Sequence, residues 1–235
     1  MTDNKTIVFF PEATFGPSMN CVGIAQRLRE RGYEAIFVAD SSFKGQFERF
    51  GFRERMVAMS APMDEAAASQ YWRDFIASHL PHYKLTAIEQ IPNYVLECWD
   101  TIVDTSVYVQ QELGQVLADI RPDLICLDNC IMFPAIKQAG CPWVRIVSCS
   151  ENEIPDPDIP PHLSGCGEND RAGFEAYQTL FLDVIKPVHE RFNAFLESVG
   201  EAPYPLGQFL EPSPCMNLLL YPEPLHYKRR NPLDP

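Results

Sequence analysis

The sequence lacks any segment that would cross a membrane or direct export. No stretch reaches about 18 uninterrupted apolar residues, the length that a transmembrane helix requires. The first residues, MTDNKTIVFF, hold only a short apolar run before Pro11 and carry no signal-peptide pattern. We therefore expect a cytoplasmic protein with no membrane span.

Basic residues are also in short supply. Lys and Arg number 19 against 32 Asp and Glu, which gives a net charge of −13. Nucleic acids and anionic membranes attract proteins largely through Lys and Arg. The charge balance therefore argues against both as partners.

Three motifs of common α/β enzymes are missing. The chain has no G-x-G-x-x-G dinucleotide loop, no G-x-x-x-x-G-K-[ST] phosphate loop and no G-x-S-x-G nucleophile turn. The loop after the first predicted strand holds a single glycine, Gly16. These absences weigh against an ordinary nucleotide-binding Rossmann enzyme and against a serine hydrolase.

The eight cysteines form no C-x-x-C pair. Without an export signal they are best interpreted as reduced and mostly buried small side chains. Cys126 with Cys130, and His162 with Cys166, come nearest to metal ligands, but neither pair has a second ligand pair at zinc spacing. No metal site is predicted.

What the chain does contain is a strand–helix–strand unit at its start. Thr6–Phe10 is a β-branched and aromatic run, and a helical pattern follows until Gly32, before a second apolar run at Glu34–Ala39. Gly16 is expected to serve as a turn glycine and Pro17 to occupy the first helical position. The loop Pro11–Asn20 follows the first strand, where such folds bind ligands.

A second unit of the same kind lies in the middle of the chain. Strands are predicted at Asp123–Leu127 and Trp143–Val147, around a helix at Ile131–Gln138 and a polar Asp128-Asn129 turn. The pattern predicts an α/β protein with a Rossmann-like three-layer sandwich and a mostly parallel sheet. The remaining predictions are a short helix at Ser41–Phe50, strands at Glu54–Met59 and Met216–Tyr221, and helices over about 65–80, 86–120 (broken or kinked at Pro92) and 169–199 (kinked at Pro187).

Two stretches lack periodicity. Ser150–Gly167 is rich in proline and is predicted to be a stiff surface loop, either a connector or a wall over a site. Residues 222–235 are predicted to begin a linker after a domain spanning residues 1–221. The Lys228–Arg230 run within them is expected to be solvated.

Four segments together carry a family resemblance: Phe15–Asp40, Arg121–Cys149, Ile159–Gly165 and Tyr221–Tyr227. In this order they resemble the amino-terminal half of the bacterial macrolide-type members of the UDP-glycosyltransferase superfamily, which have the two-domain GT-B architecture. The resemblance implies an acceptor-binding domain of an inverting glycosyltransferase. Such an enzyme transfers a sugar from a nucleotide-sugar donor to a hydroxyl of a small natural product.

The resemblance also implies what this chain does not hold. A UDP- or TDP-sugar is expected to bind in a carboxy-terminal domain, for which residues 222–235 leave no room, so no cofactor is expected in this chain. The implied partners are a small apolar hydroxylated acceptor and a donor domain, supplied in cis or by a partner subunit. The isolated chain is expected to be inactive. The alternative is a non-catalytic ligand-binding or partner domain with this fold.

One departure from the family concerns catalysis. Most members have Gly-His-x-x-Pro after the first strand, and the His is their general base. When this sequence is aligned with that motif by counting back from Leu28 and Gly32, Pro17 stands at the position of the histidine. The resemblance matches Asp128 to the acidic partner of the histidine. Asp128 is then the first candidate base and Glu12 the second. For both, a purely structural role is the competing interpretation, and for Asp128 that role is capping its loop by accepting backbone hydrogen bonds.

The acceptor is expected to contact the loops at the ends of the predicted strands and the proline-rich loop. The candidate acceptor-binding residues are Phe15, Gly16, Pro17, Ser18, Asn20, Asn129, Ile159 and His162.

Overall fold

The computed structural model describes residues 5–232, except for the side chain of Glu65. Residues 1–4 and 233–235, the outermost parts of the predicted domain and linker, lie outside the described residues. Within the described part of the chain, no helix is both long and apolar enough to cross a membrane.

The centre of the fold is a six-stranded sheet in which every pair of neighbouring strands is parallel. The strand order is β3-β2-β1-β4-β5-β6. The prediction of a mostly parallel Rossmann-like sheet is confirmed. The strands are β1 Thr6–Pro11, β2 Glu34–Asp40, β3 Arg53–Val57, β4 Leu124–Asp128, β5 Trp143–Val147 and β6 Asn217–Leu219.

Helices cover both faces of the sheet, which confirms the three-layer prediction. They are α1 Phe15–Glu30, α2 Glu65–His79, α3 Ala87–Gln90, α4 Leu96–Ile120, α5 Pro134–Gln138 and α6 Arg171–Ser198. A π-helical segment, Ile91–Val95, joins α3 to α4. Short 3₁₀ turns lie at Ser41–Phe43, Glu48–Phe50, His82–Lys84, Glu151–Glu153 and Glu223–Leu225.

The alternation of side chains along the strands divides the core in two. Val8 and Phe10 of β1 pack on the face that carries α4, α5 and α6, whereas Ile7 and Phe9 pack on the face that carries α1. Successive strand residues point to opposite faces, so a strand that is buried on both sides is apolar throughout. This explains why the strand sequences show continuous apolar runs.

Two predicted helices differ from the structure. Ser41–Phe50 is wrong as a helix, because Gly45 has a φ of 80° and separates two 3₁₀ turns. The helix expected from Ile131 begins only at Pro134, after an extended Phe133. Pro fits the first helical position because its missing N–H has no partner there in any helix.

The prolines in the long helices do not break them. At Pro92 the backbone widens into the π-helical segment, which accommodates the residue and continues directly into α4. α6 runs unbroken through Pro187. The expected interruption at Pro92 is therefore a local change of helix type.

The start of α1 also differs from expectation. The helix begins at Phe15, so Gly16 lies inside its first turn and has no left-handed backbone angle. Pro17 is the third helical residue rather than the first. It is tolerated there because the N–H groups of the first turn have no intrahelical acceptor.

Phe37 provides a test of the core. Its ring is fully buried and stacks on Phe9 and Phe47, with centroid distances of 5.3 and 4.2 Å. We expect Phe37→Ala to lower the free energy of unfolding by about 3–5 kcal/mol, through lost burial and a cavity. Phe15→Ala is the matched control, since Phe15 is 72% exposed; a change beyond about 0.5 kcal/mol is not expected there. Urea denaturation of both variants measures the difference, and equal losses would contradict this account of the core.

Candidate functional site

Two acidic residues meet where the strand order reverses. β1 and β4 are neighbours at the centre of the sheet, and Pro11 pairs with Asp128 at their carboxyl ends. The N–H of Glu12 donates to the carbonyl of Asp128 at 2.7 Å. In open parallel sheets, ligands bind in the crevice at such a reversal point.

The side chain of Asp128 is buried, with the residue 4% exposed. Its Oδ1 accepts a hydrogen bond from the Ser148 hydroxyl at 2.9 Å, and the Cys21 thiol lies 4.0 Å from Oδ2. Burial raises the pKa of Asp128 to about 7, with further increases from the nearby Glu153 and Glu12 carboxylates. A carboxyl group with this pKa both accepts and releases a proton near neutral pH, as a general base requires.

Glu12 and Glu153 complete a cluster of three acids with Asp128. Burial raises the pKa of Glu12, and the charge of Glu153 raises it further. Burial also raises the pKa of Glu153, while Arg145 opposes that increase. Ionising one member therefore makes it harder to ionise the next, because like charges repel strongly at low dielectric.

Arg145 is the cation that faces this cluster, and sequence reasoning missed it. It lies within β5 and is 1% exposed; its Nη2 donates to the Glu153 carbonyl at 3.3 Å and lies 3.5 Å from the Glu153 carboxylate. Burial lowers the pKa of its guanidinium, against the influence of Glu153. The available signal was a charged residue inside the apolar run WVRIV, since buried arginines need a charged or polar partner.

A cavity of about 500 Å³ opens beside this cluster. Cys130, two residues beyond Asp128, lies on its wall, together with Arg145 and Glu153. The rest of the wall is mainly apolar and comes from α4, α6, the proline-rich loop and the segment before β6. Its large apolar and aromatic members are Trp99, Ile159, Phe174, Tyr177, Phe181, Leu182, Leu206 and Phe209.

Two of the predicted acceptor-binding residues, Ile159 and His162, lie on the cavity wall. Burial, and secondarily the positive charge of Arg145, lowers the pKa of His162 to about 4, so its imidazole is neutral at physiological pH. Of the two interpretations of the proline-rich loop, the structure supports the wall, because residues 152–153, 155–157 and 159–163 all line the cavity.

The other predicted site residues are not brought to the cavity wall. Phe15, Gly16 and Asn20 are exposed on the first turns of α1, and Pro17 is half-buried beside them. Ser18 is buried, and its hydroxyl donates to the carbonyl of Glu12 at 3.5 Å. Ser18 thus helps to hold the backbone of Glu12 in position through this hydrogen bond.

Asn129 caps the loop after β4. Its Oδ1 accepts hydrogen bonds from the N–H groups of Cys130 at 2.8 Å and Ile131 at 3.3 Å. This is the capping role that was the competing interpretation for Asp128. Since Asn129 performs it, the Asp128 carboxyl is left to side-chain partners.

The Lys228–Arg230 run in the tail after β6 is only partly solvated as expected: Lys228 and Arg230 are exposed, whereas Arg229 is not. The Arg229 side chain is only 7% exposed; its Nη1 donates to the Ile154 carbonyl at 2.8 Å, and its Nε lies 3.7 Å from the Glu151 carboxylate. The carboxylate of Asp156 accepts from the backbone N–H groups of Arg230 and Asn231 at 3.0 and 2.8 Å. The tail therefore holds the loop that forms one wall of the cavity.

No metal centre is formed by the residues that the structure describes: no three His, Cys, Asp or Glu side chains there are placed to hold an ion. All eight cysteines, each within the described range, are free thiols.

Comparisons with known proteins place the fold. The chain matches no protein-family model, and no curated protein is similar to it in sequence. Among solved structures it is similar to the glycosyltransferase VinC in complex with dTDP, with a TM-score of 0.53 and 16% identity over 97% of this chain and 52% of VinC. The spinosyn forosaminyltransferase SpnP gives a TM-score of 0.50 and 15% identity over 96% of this chain and 48% of SpnP. The glycotransferase of kitacinnamycin gives a TM-score of 0.51 and 15% identity over 84% of this chain and 41% of its own.

These similarities define the class of fold. The chain has a Rossmann-like α/β fold of the kind found in GT-B glycosyltransferases. It spans about half the length of the solved glycosyltransferases that it matches. The extent of the match is consistent with one domain of a two-domain enzyme.

The buried acid Asp128 predicts an unusual pH dependence of stability. Its pKa of about 7 exceeds the value of about 3.9 in an unfolded chain, so the folded protein holds a proton that the unfolded chain releases between those pH values. The wild-type protein therefore loses stability as the pH rises from about 4 to 7. We expect Asp128→Asn to remove the part of this loss that Asp128 causes, so that its free energy of unfolding at pH 8 exceeds that of wild type by about 2–4 kcal/mol.

The measurement is the free energy of unfolding from urea titrations at pH values from 4 to 8.5. The gap between Asp128→Asn and wild type should open between pH 4 and 7 and then stay constant. Asp119→Asn, at an exposed carboxylate, is the matched control and should show no such gap. A difference in the free energy of unfolding that is the same at every pH would contradict the raised pKa of Asp128.

Proposed function

We propose that this chain is the acceptor-binding, amino-terminal half of an inverting glycosyltransferase that acts on a small apolar natural product with a hydroxyl group. The observation that carries the proposal is the largely apolar cavity of about 500 Å³ beside the acidic cluster, with Glu153 of that cluster on its wall and the buried carboxyl of Asp128 next to Glu153. Ligand sites of this size, apolar with a few polar groups, are typical of small-molecule binding. The GT-B-like fold supports the reaction class.

In the proposed reaction Asp128 is the general base. Its ionised form takes the proton of the acceptor hydroxyl, directly or through one water molecule. The oxygen then forms a bond to the anomeric carbon of the sugar while the bond from that carbon to the nucleoside diphosphate breaks, in a single inverting displacement. The Ser148 hydroxyl donates to Oδ1 of Asp128, and Oδ2, whose neighbour is the Cys21 thiol at 4.0 Å, takes the proton. Glu12 and Glu153 contribute by holding the pKa of Asp128 high.

The donor is expected to be a UDP- or TDP-sugar held by a further domain, in cis or on a partner subunit. This part of the proposal draws on the length of the match, since this chain spans about half of VinC and of SpnP. On this view the chain alone binds acceptor but completes no transfer.

A non-catalytic role is the second candidate. The specific observation in its favour is Pro17, which occupies the position of the family's usual histidine and has no proton acceptor in its side chain. A domain that only binds a ligand, or that supports a separate catalytic subunit, would not need the base.

Glycosyl transfer by the whole gene product tests the catalytic proposal. We expect Asp128→Asn to lower kcat by about 10²–10⁴-fold with little change in acceptor KM, since it removes a general base and keeps the shape of the side chain. Glu12→Gln should lower kcat less and shift the acidic limb of the pH–rate profile to lower pH, because removing its charge lowers the pKa of Asp128. Asp119→Asn is the control at an exposed carboxylate. Unchanged rates for both site variants would remove the proposed base and favour the non-catalytic role.

Binding by residues 1–235 alone tests the division of labour between the two halves. We expect apolar hydroxylated compounds to bind this chain with weak affinity, and UDP-glucose and TDP-glucose to give no measurable heat in calorimetry. The reason is that the wall of the cavity is largely apolar and carries two carboxylates, Glu153 and Asp156, against the single guanidinium of Arg145, which disfavours a diphosphate. Tight binding of either nucleotide sugar would contradict the assignment of this chain to the acceptor half.

A further inference from the structure

Unpaired polar groups are concentrated in the wall of the cavity. Among residues 5–232, eight buried side-chain nitrogen or oxygen atoms have no hydrogen-bond partner within the protein. Four of them belong to cavity-lining residues: Nε and Nη1 of Arg145, Nδ1 of His162 and the hydroxyl of Tyr177. Buried polar groups are nearly always paired in folded proteins, and each exception calls for a specific partner.

Most of these groups are hydrogen-bond donors. The guanidinium of Arg145 has only N–H groups and no acceptor. The Tyr177 hydroxyl keeps its proton, because burial raises its pKa to about 12. The neutral imidazole of His162 offers one donor and one acceptor. The matching ligand groups are therefore oxygen atoms with free lone pairs.

The charges around the cavity decide between a neutral and an anionic oxygen. The Arg145 guanidinium is already opposed by the Glu153 carboxylate at 3.5 Å. Asp156 also lies on the wall, and the negative charges of Asp128 and Glu12 act on the wall residues Arg145 and Cys130, respectively. A carboxylate on the ligand would be repelled by these acids, whereas a carbonyl oxygen would not.

We infer that the cavity recognises an apolar ring system through an uncharged carbonyl oxygen that accepts hydrogen bonds from Arg145 and Tyr177. The inference rests on the proposed function, in which this cavity holds the acceptor. It adds a chemical requirement to the acceptor: a ketone, quinone or lactone carbonyl, in addition to the hydroxyl that is glycosylated. Truncating the carbonyl would leave buried donors unpaired, which is a strong basis for discrimination.

Three ring compounds of similar size test this requirement on the unmodified chain. Fluorene has no oxygen, 9-fluorenone has a carbonyl and fluorene-9-carboxylate has an anionic group. In equilibrium dialysis at pH 7.5 we expect 9-fluorenone to bind about tenfold or more tightly than fluorene, because it pairs donors that fluorene leaves unsatisfied. Fluorene-9-carboxylate should bind more weakly than 9-fluorenone.

Two tyrosine variants locate the effect. Tyr177→Phe should weaken the binding of 9-fluorenone about three- to tenfold and leave that of fluorene unchanged. Tyr204→Phe is the matched control, since it removes another buried hydroxyl that does not line the cavity. A double variant, Arg145→Met with Glu153→Gln, removes the cation together with the carboxylate paired to it, so that neither member of this pair is left without the other. It should reduce the preference for 9-fluorenone over fluorene, and combining it with Tyr177→Phe should abolish that preference.

The outcomes separate this inference from the proposed function. Equal binding of fluorene and 9-fluorenone would overturn the carbonyl requirement while leaving an apolar acceptor site in place. Tightest binding of fluorene-9-carboxylate would overturn the preference for a neutral oxygen. Absence of binding by all three compounds would overturn both proposals. If the double variant does not fold, the ligand series on the unmodified chain and the Tyr177→Phe variant still decide the question.

Discussion

The parallel pairing of β1 with β4 is the contact on which the rest of the site depends. Its register sets Pro11 opposite Asp128, and so places Glu12 and Asp128 at one point on the carboxyl edge of the sheet. β5 pairs with the other side of β4 and carries Arg145 to the same region. A slip of one residue in either pairing would turn these side chains to the opposite face of the sheet. The apolar contacts that hold the strands in register therefore also hold the acids together.

The burial of these acids is costly for the folded state. Three carboxyl groups with raised pKa values face one arginine whose own pKa is lowered. Such an arrangement lowers the stability of the folded state at neutral pH. It persists because the packing of the surrounding core fixes the positions of the strands. Sites of this kind are common where proton transfer occurs, since a base must have a pKa near the working pH.

The two strand–helix–strand units could be predicted from the sequence because their signals are local. Apolar runs of strand length, helical periodicity and terminal glycines such as Gly32 depend only on neighbouring residues. The position of Asp128 at the end of a strand followed from the same signals. Arg145 could not be found in this way, since its role depends on Glu153, which lies in a segment without periodicity. The cavity could not be predicted from the sequence either, because its wall is formed by α4, α6 and two irregular segments that are distant in sequence.

The attachment of the tail to the proline-rich loop has a thermodynamic consequence. Glu151, Ile154 and Asp156 bind the tail through Arg229, Arg230 and Asn231, and the same loop supplies Ile159 and His162 to the cavity. Attachment of the tail and occupation of the cavity both involve this loop, so the two equilibria are linked. If attachment of the tail raises the affinity of the cavity by some factor, occupation of the cavity strengthens the attachment of the tail by the same factor. Residues 229–231 are thus reciprocally coupled to any molecule that fills the cavity, through a segment that contains no regular helix beyond a single 3₁₀ turn.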